Sequence, residues 1–369
     1  YVYMRLGLMV LLLMLTAGTV YIYHVTNGFS SVSHSLWIWL LFSVSVFFNF
    51  YYKYYTALLT GTALMMEYNK SCMYSKIVYL LICIALLFAG CGLMSVVIAN
   101  FVAPFVQRYY SYISFYSREM KDKLRGEQVP KQEIKDTFNT LWFNTKRLGS
   151  IFVAQYGISQ SGIFLCGLFL SLPEIASYGL LMQLVGGVLC TCAKSLFNTV
   201  TPLFGKDIVR NDKQALVRHF SLGNFVFWVI FIIGGLLIVL VAPWMLQLMH
   251  SNSLLPSTLI MVIFVVDALL DYNHSNFTYI FMAENRYPFL KADIYTGVAV
   301  VIFTFATLYF TDWGLLGVVI CRFICMLCYN YWKWPIEASR KLQVSIACLV
   351  KVGWQESSMK VEAIIKNKK

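Results

Sequence analysis

An all-α, polytopic membrane protein is the fold class that this sequence predicts, and three observations predict it. Only 12% of its 369 residues are charged while 59% are hydrophobic, against about 25% charged in ordinary soluble domains. Apolar runs long enough to cross a bilayer, about 20 residues each, follow one another through most of the chain. Lysine and arginine then collect in every second connection between those runs, the asymmetry that sets membrane orientation. A mean hydropathy of +0.68 leaves more apolar surface than a water-soluble core of this size could hide.

Taken in chain order, the runs give about ten candidate spans: 4–24, 35–60, 76–90, 92–112, 149–171, 174–201, 219–244, 254–282, 290–311 and 313–333. The turn "FAGCGL" around Gly90 joins the third and fourth into a hairpin, and "SLPE" around Pro173 does the same for the fifth and sixth. The connections 25–34, 89–92, 172–174, 245–257 and 311–313 contain no lysine or arginine. The alternate set, 65–76, 108–147, 205–218, 284–291 and the tail from Lys333, holds 25 of the 29 basic residues. That bias predicts a multi-pass protein of about ten spans with both termini cytoplasmic.

The longest cytoplasmic connection divides the chain into a first lobe of four spans, 1–114, and a second lobe of six, 148–333. Within the linker 115–147, Ile134, Phe138, Leu141 and Trp142 recur at helical spacing among charges, the pattern of an amphipathic helix on the inner membrane surface. The basic tail 334–369 has similar character, with "VSIACLVKVGW" expected to rest on the membrane. The chain begins at Tyr1, close to an apolar run, so part of the first lobe is expected to precede it.

Several function classes are disfavoured. The net charge of +12 lies in topology-setting loops, without the interleaved arginine and aromatics of a nucleic-acid platform. Most of the ten cysteines sit inside apolar runs and read as small hydrophobes. Cys321, Cys325 and Cys328 have no histidine partner, so neither a metal nor a cofactor is expected. GxxxxGK[ST], HExxH and GxSxG are all missing, and the external loops are too short for a catalytic domain. Transport, rather than enzymatic chemistry, is the class that remains.

Ionisable residues inside spans mark functional sites by default, because hydrocarbon makes them expensive. In "FVVDALLDYNHSNFTYIFMAENR", Asp267, Asp271 and His274 fall at i, i+4 and i+7 and share one helix face. They read either as a wet cavity wall that binds a coupling proton or cation, or as a structural set paired with Arg322. Arg322, in "GVVICRFICMLCYN", either grips a phosphate through its two-pronged guanidinium or locks to Asp267 or Asp271. Lys194, in "CTCAKSLFNTVTP", either attracts an anionic head group or snorkels to the cytoplasmic surface. Lys53 lies among four tyrosines in "NFYYKYYTALLTG", in an aromatic belt or on a cavity wall. Gln155 and Gln183, with Ser159 and Gln160, form a lesser polar set that suits substrate contacts or interhelical hydrogen bonds. Asp293, close to Lys291 at a span end, is expected at the interface.

Several longer stretches carry a family resemblance. "FNFYYKYYTALLTGTALMMEYNKS", "TLWFNTKRLGSIFVAQYGISQSGIFL", "LPEIASYGLLMQLVGGVLCTCAKSLFNTVTPLFGKDIVRNDKQALVRHF" and "MAENRYPFLKADIYTGV" together resemble the multidrug/oligosaccharidyl-lipid/polysaccharide (MOP) exporter superfamily. Within it they are most similar to the polysaccharide transporter branch, the Wzx-like O-antigen and capsule flippases. The resemblance covers about residues 1–335 and rests on order and spacing. It implies a MATE-like fold of two six-helix lobes, so the first lobe here lacks two helices. It also implies a lipid-linked oligosaccharide on undecaprenyl diphosphate as substrate, moved outward for O-antigen, lipopolysaccharide or capsule export beside a glycan polymerase and chain-length partners. Lys194, Arg322 and Lys53 would then hold the diphosphate, while Asp267 and Asp271 support coupling. The alternatives are a cation-coupled multidrug exporter of the same superfamily, a membrane-embedded glycan polymerase or ligase, and a scaffold that transports nothing.

The orientation is open to direct test. Green fluorescent protein fused after Lys369 is expected to fluoresce and alkaline phosphatase at the same place to be inactive. The reverse pattern would overturn the cytoplasmic placement of that end.

Overall fold

The computed structural model describes residues 2–26, 33–61, 64–116, 130–248 and 254–366. Residues 117–129 of the predicted linker and the loop residue His250 lie outside that set, as does the side chain of His34. The described residues are helical almost throughout and divide into two compact units, Tyr1–Pro130 and Lys131–Lys369. Among the described residues eight helices are long and apolar enough to cross a membrane, and the chain is a multi-pass membrane protein.

Unit 1 holds α1 (Val2–Thr26), α2 (Ser33–Tyr51), α3 (Lys53–Gly61), α4 (Met65–Phe88) and α5 (Leu93–Tyr116). The predicted spans 4–24 and 92–112 fall on α1 and α5, which lie outside those eight; Met4–Thr19 of α1 forms a shorter apolar helix. The hairpin between α4 and α5 turns on Gly90 and Gly92, both at positive φ (79° and 52°), a backbone region that glycine enters without steric cost. Ser75 donates to the Ala103 carbonyl at 2.8 Å across that hairpin, and Trp39 of α2 donates to the Met14 carbonyl of α1 at 3.0 Å.

Unit 2 begins with α6 (Lys131–Phe169), a single helix of 39 residues. At 1.5 Å per residue it is about 58 Å long, nearly twice the hydrocarbon thickness of about 30 Å. The amphipathic stretch 131–147 is therefore the extension of the following span, not a separate helix lying flat on the bilayer. Ser171 and Glu174 then form a capping box, with Ser171 N donating to the Glu174 carboxylate at 3.0 Å, and start α7 (Leu172–Met182). A π-helical segment, Gln183–Leu189, links α7 to α8 (Cys190–Val209). After a turn through Asn211 at φ 55°, Asp212 caps α9 (Lys213–Leu248) by accepting from Ala215 N at 2.9 Å. α10 (Thr258–Met282) and α11 (Leu290–Phe310) follow.

The last predicted span, 313–333, is broken. α12 (Gly314–Leu327) ends at Cys328, and α13 (Asn330–Leu342) restarts beyond Tyr329 and runs nine residues past the predicted end. α13 buries Tyr331, Trp334, Ala338 and Leu342 and packs on α10. α14 (Ile346–Lys366) packs on α9, with Leu349 fully buried. The "VSIACLVKVGW" segment thus rests on protein, because its small Gly353 lets two helices approach to backbone contact. A Cβ on Gly353 would stand 2.5 Å from the Ser221 carbonyl oxygen and 2.5 Å from the Phe225 Cβ.

Hydrocarbon surrounds these helices, so van der Waals fit and interhelical hydrogen bonds, more than water exclusion, hold them together. Phe197, Phe204, Phe220 and Phe277 meet edge to face, with ring centroids 5.1–6.1 Å apart. Such pairs are worth about 0.5–1.5 kcal/mol each beyond their burial; these rings join α8, α9 and α10, and Ala338 and Leu342 of α13 are buried in the same cluster. A second cluster, including Tyr178, Leu181, Phe231, Met261 and Val318, forms the apolar floor of the site described next.

Gly353→Leu is expected to detach α14, at a cost of about 1–3 kcal/mol or more for overpacking. Limited trypsin digestion in detergent, read at Lys351, checks this. Unchanged protection would show that the close approach carries little energy.

Candidate functional site

The site is built on α10, whose polar residues recur at helical spacing along an otherwise apolar sequence. One side of the helix is tied to α9: Trp228 donates to Asn273 at 2.8 Å and Asn276 to Asn224 at 3.2 Å. The other side presents Asp267 and Asp271 to Arg322 of α12. Arg322 Nη1 is paired with Asp267, and its Nη2 donates to Asp271 Oδ2 at 2.6 Å. Of the two predicted roles for Arg322, the lock to carboxylates is the one seen, and both aspartates share it.

The two carboxylates are not equivalent. Asp267 retains 1% of its side-chain surface and Asp271 retains 24%. Asp267 also accepts a hydrogen bond from the Tyr331 hydroxyl, which reaches its backbone carbonyl as well at 3.1 Å. That hydroxyl comes from α13, so the break at Cys328–Tyr329 has a structural consequence: it turns the chain so that one residue can reach the buried acid. Asp271 instead lines two adjoining cavities of about 360 and 220 Å³.

The larger cavity is bounded by Ser159 and Gln160 of α6, Tyr178 of α7, Gln183, Asp271, Tyr272 and Arg322. Its volume falls in the range of small-molecule pockets. The π-helical turn forms one wall, and its wide spacing is a feature often found at functional sites. An added Cβ on Gly187 would stand 2.8 Å from the Gln183 amide nitrogen, so a larger residue there would displace that side chain. The smaller cavity is lined by Gln155, Asp271, His274, Ser275 and Asp293. His274 is 3% exposed and its Nε2 has no hydrogen-bond partner among the described residues.

Lys194 does not snorkel. Its ammonium turns inward, donates to Ser275 at 3.2 Å and lies 5.1 Å from the Tyr272 ring centre and 6.0 Å from that of Tyr279. The structure thus brings Lys194, Gln155, Gln183, Asp267, Asp271, His274 and Arg322 together in unit 2. Lys53 belongs to unit 1, where it is exposed at the start of α3 with its ammonium 5.7 Å from the Phe50 ring centre; it lines neither cavity. Asp293 was expected at the interface and is instead 1% exposed. Asn330 of α13 donates to it at 3.4 Å and to Thr296 at 3.2 Å. Sequence reasoning missed Tyr331 and Asn330, which follow directly on Arg322's helix but read as the aromatic end of a span. It also missed the π-helical turn, whose one visible signal is the Gly186–Gly187 pair after Gln183.

No protein-family model matches the chain, and no curated protein resembles it in sequence. Its fold does have solved counterparts. It is similar to a multidrug resistance MATE family transporter of the MOP superfamily in an inward-facing conformation, at 14% identity and a TM-score of 0.62 over 93% of this chain and 80% of that one. An outward-facing structure of a MATE transporter aligns at 12% identity and a TM-score of 0.61, covering 93% and 78%. A MOP superfamily transporter from Pyrococcus furiosus, described as having a binding pocket of reversed polarity, aligns at 14% identity and a TM-score of 0.63, also covering 93% and 78%. At these identities the likeness establishes the fold, that of the MOP superfamily transporters.

Removing one partner of a buried ion pair costs about 3–5 kcal/mol, since the remaining charge is left uncompensated. Asp267→Asn and Tyr331→Phe are therefore expected to lower thermal stability in detergent, the first by several kcal/mol and the second by about 1–3 kcal/mol. Asp271→Asn, at the wet end of the bridge, is expected to cost less than Asp267→Asn. Equal losses at the two aspartates would contradict the asymmetry of the bridge.

Proposed function

We propose that this chain is a proton-coupled exporter of cationic or amphiphilic small molecules, with Asp271 as the residue that binds the coupling proton. The observation that carries the reading is a partly enclosed cavity of about 360 Å³ in a MOP transporter fold, walled by aromatic rings and by one cavity-facing carboxylate held to an arginine. Tyrosine faces beside a carboxylate suit a cation, through ring quadrupole and charge together. That chemistry agrees with the multidrug transporters whose fold the chain shares.

The bridge supplies the coupling. Asp267, Arg322 and Asp271 carry one net negative charge when both acids are ionised, which Lys194 nearby balances. A proton on Asp271 ends that balance, releases Arg322 Nη2, and leaves Arg322 with Asp267 as a neutral pair. Proton-loaded and proton-free forms are then two distinct packings, the minimum requirement for a switch. A proton fits this role better than a sodium ion, because the Arg322 amine at 2.6 Å occupies the space a metal cation would need. In this reading the protein works in a bacterial inner membrane with both ends cytoplasmic.

A second reading has its own observation. Arg322 Nε has no hydrogen-bond partner among the described residues and Lys194 is held by a hydroxyl and aromatic rings. Two such donors favour an anionic group, and the lipid-linked oligosaccharide on undecaprenyl diphosphate implied by the sequence resemblance carries one.

Purified protein in liposomes separates the two. Coupled export predicts that an imposed pH gradient drives efflux of a fluorescent cationic dye, and that Asp271→Asn reduces it to the level of empty vesicles while the protein stays folded. Absence of gradient-driven efflux, with loss of surface polysaccharide and accumulation of lipid-linked repeat units in a deletion strain, would replace this reading by the flippase.

A further inference from the structure

The bridge accounts for Asp267, Asp271 and Arg322, and Lys194 lies close enough to Asp271 to interact with it electrostatically. Those four charges cancel. Asp293 remains, and no cation pairs with it among the described residues. It sits in the first turn of α11, 1% exposed, where the Asn330 amide donates to Oδ1 at 3.4 Å and the Gln155 side chain stands within hydrogen-bonding reach of the carboxyl. Its Oδ2 has no hydrogen-bond partner among the described residues. Both Asp293 and His274, whose Nε2 is likewise unpartnered, line the 220 Å³ cavity that Asp271 also faces.

The groups around Asp293 can be named from each helix packed on it. α6 contributes Gln155 and α10 contributes Asp271 and His274. α13 contributes Asn330, and on α11 itself Lys291 is exposed. The helix N-terminus favours a negative charge here, but it offsets only a small part of burying a full carboxylate without a counter-ion. A carboxyl in that position is accommodated by carrying a proton. The cavity has room for several waters, and its lining supplies the polar partners that hold them.

We propose that Asp293 is a second proton-binding site, and that the cavity it shares with His274 and Asp271 is a hydrated chamber through which a proton passes between the two carboxyls. The transfer balances without any further reactant. Asp293 gives its proton to a chamber water, that water gives one of its own to the Asp271 carboxylate, and Asp293 is left as the carboxylate. His274 lines the same chamber. The chamber's role in coupling rests on the exporter reading above; the existence of the proton site does not.

Infrared spectroscopy of the full chain in phosphatidylcholine–phosphatidylglycerol vesicles tests the site without reference to transport. At neutral pH the carbonyl stretch of a protonated carboxyl is expected, shifted by deuterium exchange. It should vanish in Asp293→Asn, persist in Asp271→Asn and move in Asp293→Glu. A band that survives Asp293→Asn, or a wild-type spectrum with none, overturns the assignment. Should Asp293→Asn fail to fold, Asp293→Glu and Thr296→Val decide the matter: an unmoved band in both rejects the site. In dye-efflux liposomes, folded Asp293→Asn is expected to bind dye normally and to lose at least tenfold in gradient-driven efflux. Unaltered efflux would overturn the transfer step. Wild-type efflux indifferent to the gradient would sink the exporter reading and leave the infrared result standing.

Discussion

Two carboxylates on one helix share a single guanidinium, and most of unit 2 is arranged so that this can happen inside a membrane. Moving such charges out of water costs several kcal/mol per ion even after relaxation. Each lone pair and N–H that is matched by protein lowers that cost. Tyr331 supplies part of that match at Asp267, and it can do so because the last helix breaks after Leu327 and restarts at Asn330. Trp228 and Asn224, bonded to Asn273 and Asn276, hold the opposite side of α10. The helix is thereby fixed in rotation, and Asp271 is left facing open space.

That rotational fixing turns a row of polar residues into a site with direction. Asp267 is inaccessible and doubly held; Asp271, one turn away, is singly held and borders both cavities. Of two chemically identical side chains, one is then an anchor and the other is free to exchange a partner. The small residues serve the same end. Gly187 leaves room for the Gln183 side chain, and Gly353 admits α14 to the backbone of α9, where a larger residue would collide.

The aromatic cluster of Phe197, Phe204, Phe220 and Phe277 does different work. It carries no polar group and lies apart from the cavities, yet it joins the helices whose polar residues meet at the site. In lipid, where burial of apolar surface gives little net gain, edge-to-face rings and close backbone approach are what keep α8, α9, α10 and α13 in register. Precise placement of Arg322 and Tyr331 depends on that register. The chemistry of the site and the packing of the bundle are for this reason one problem.

The order of apolar runs, the basic connections and the glycine turn at Gly90 determined the membrane class and the helical architecture without any coordinates. Those signals are local or nearly so, set by hydrocarbon thickness and backbone sterics. The shared face of Asp267, Asp271 and His274 was equally legible, because a helix repeats every 3.6 residues whatever surrounds it. Only the tertiary structure decided that Arg322 binds both aspartates, that Lys194 turns inward to Ser275, and that Asp293 is buried rather than interfacial. Each of those outcomes depends on which face of one helix meets which face of another, over sequence separations of up to 81 residues. Periodicity within a single helix carries no record of that pairing, and no local rule could have placed the Tyr331 hydroxyl against a carboxylate 64 positions away.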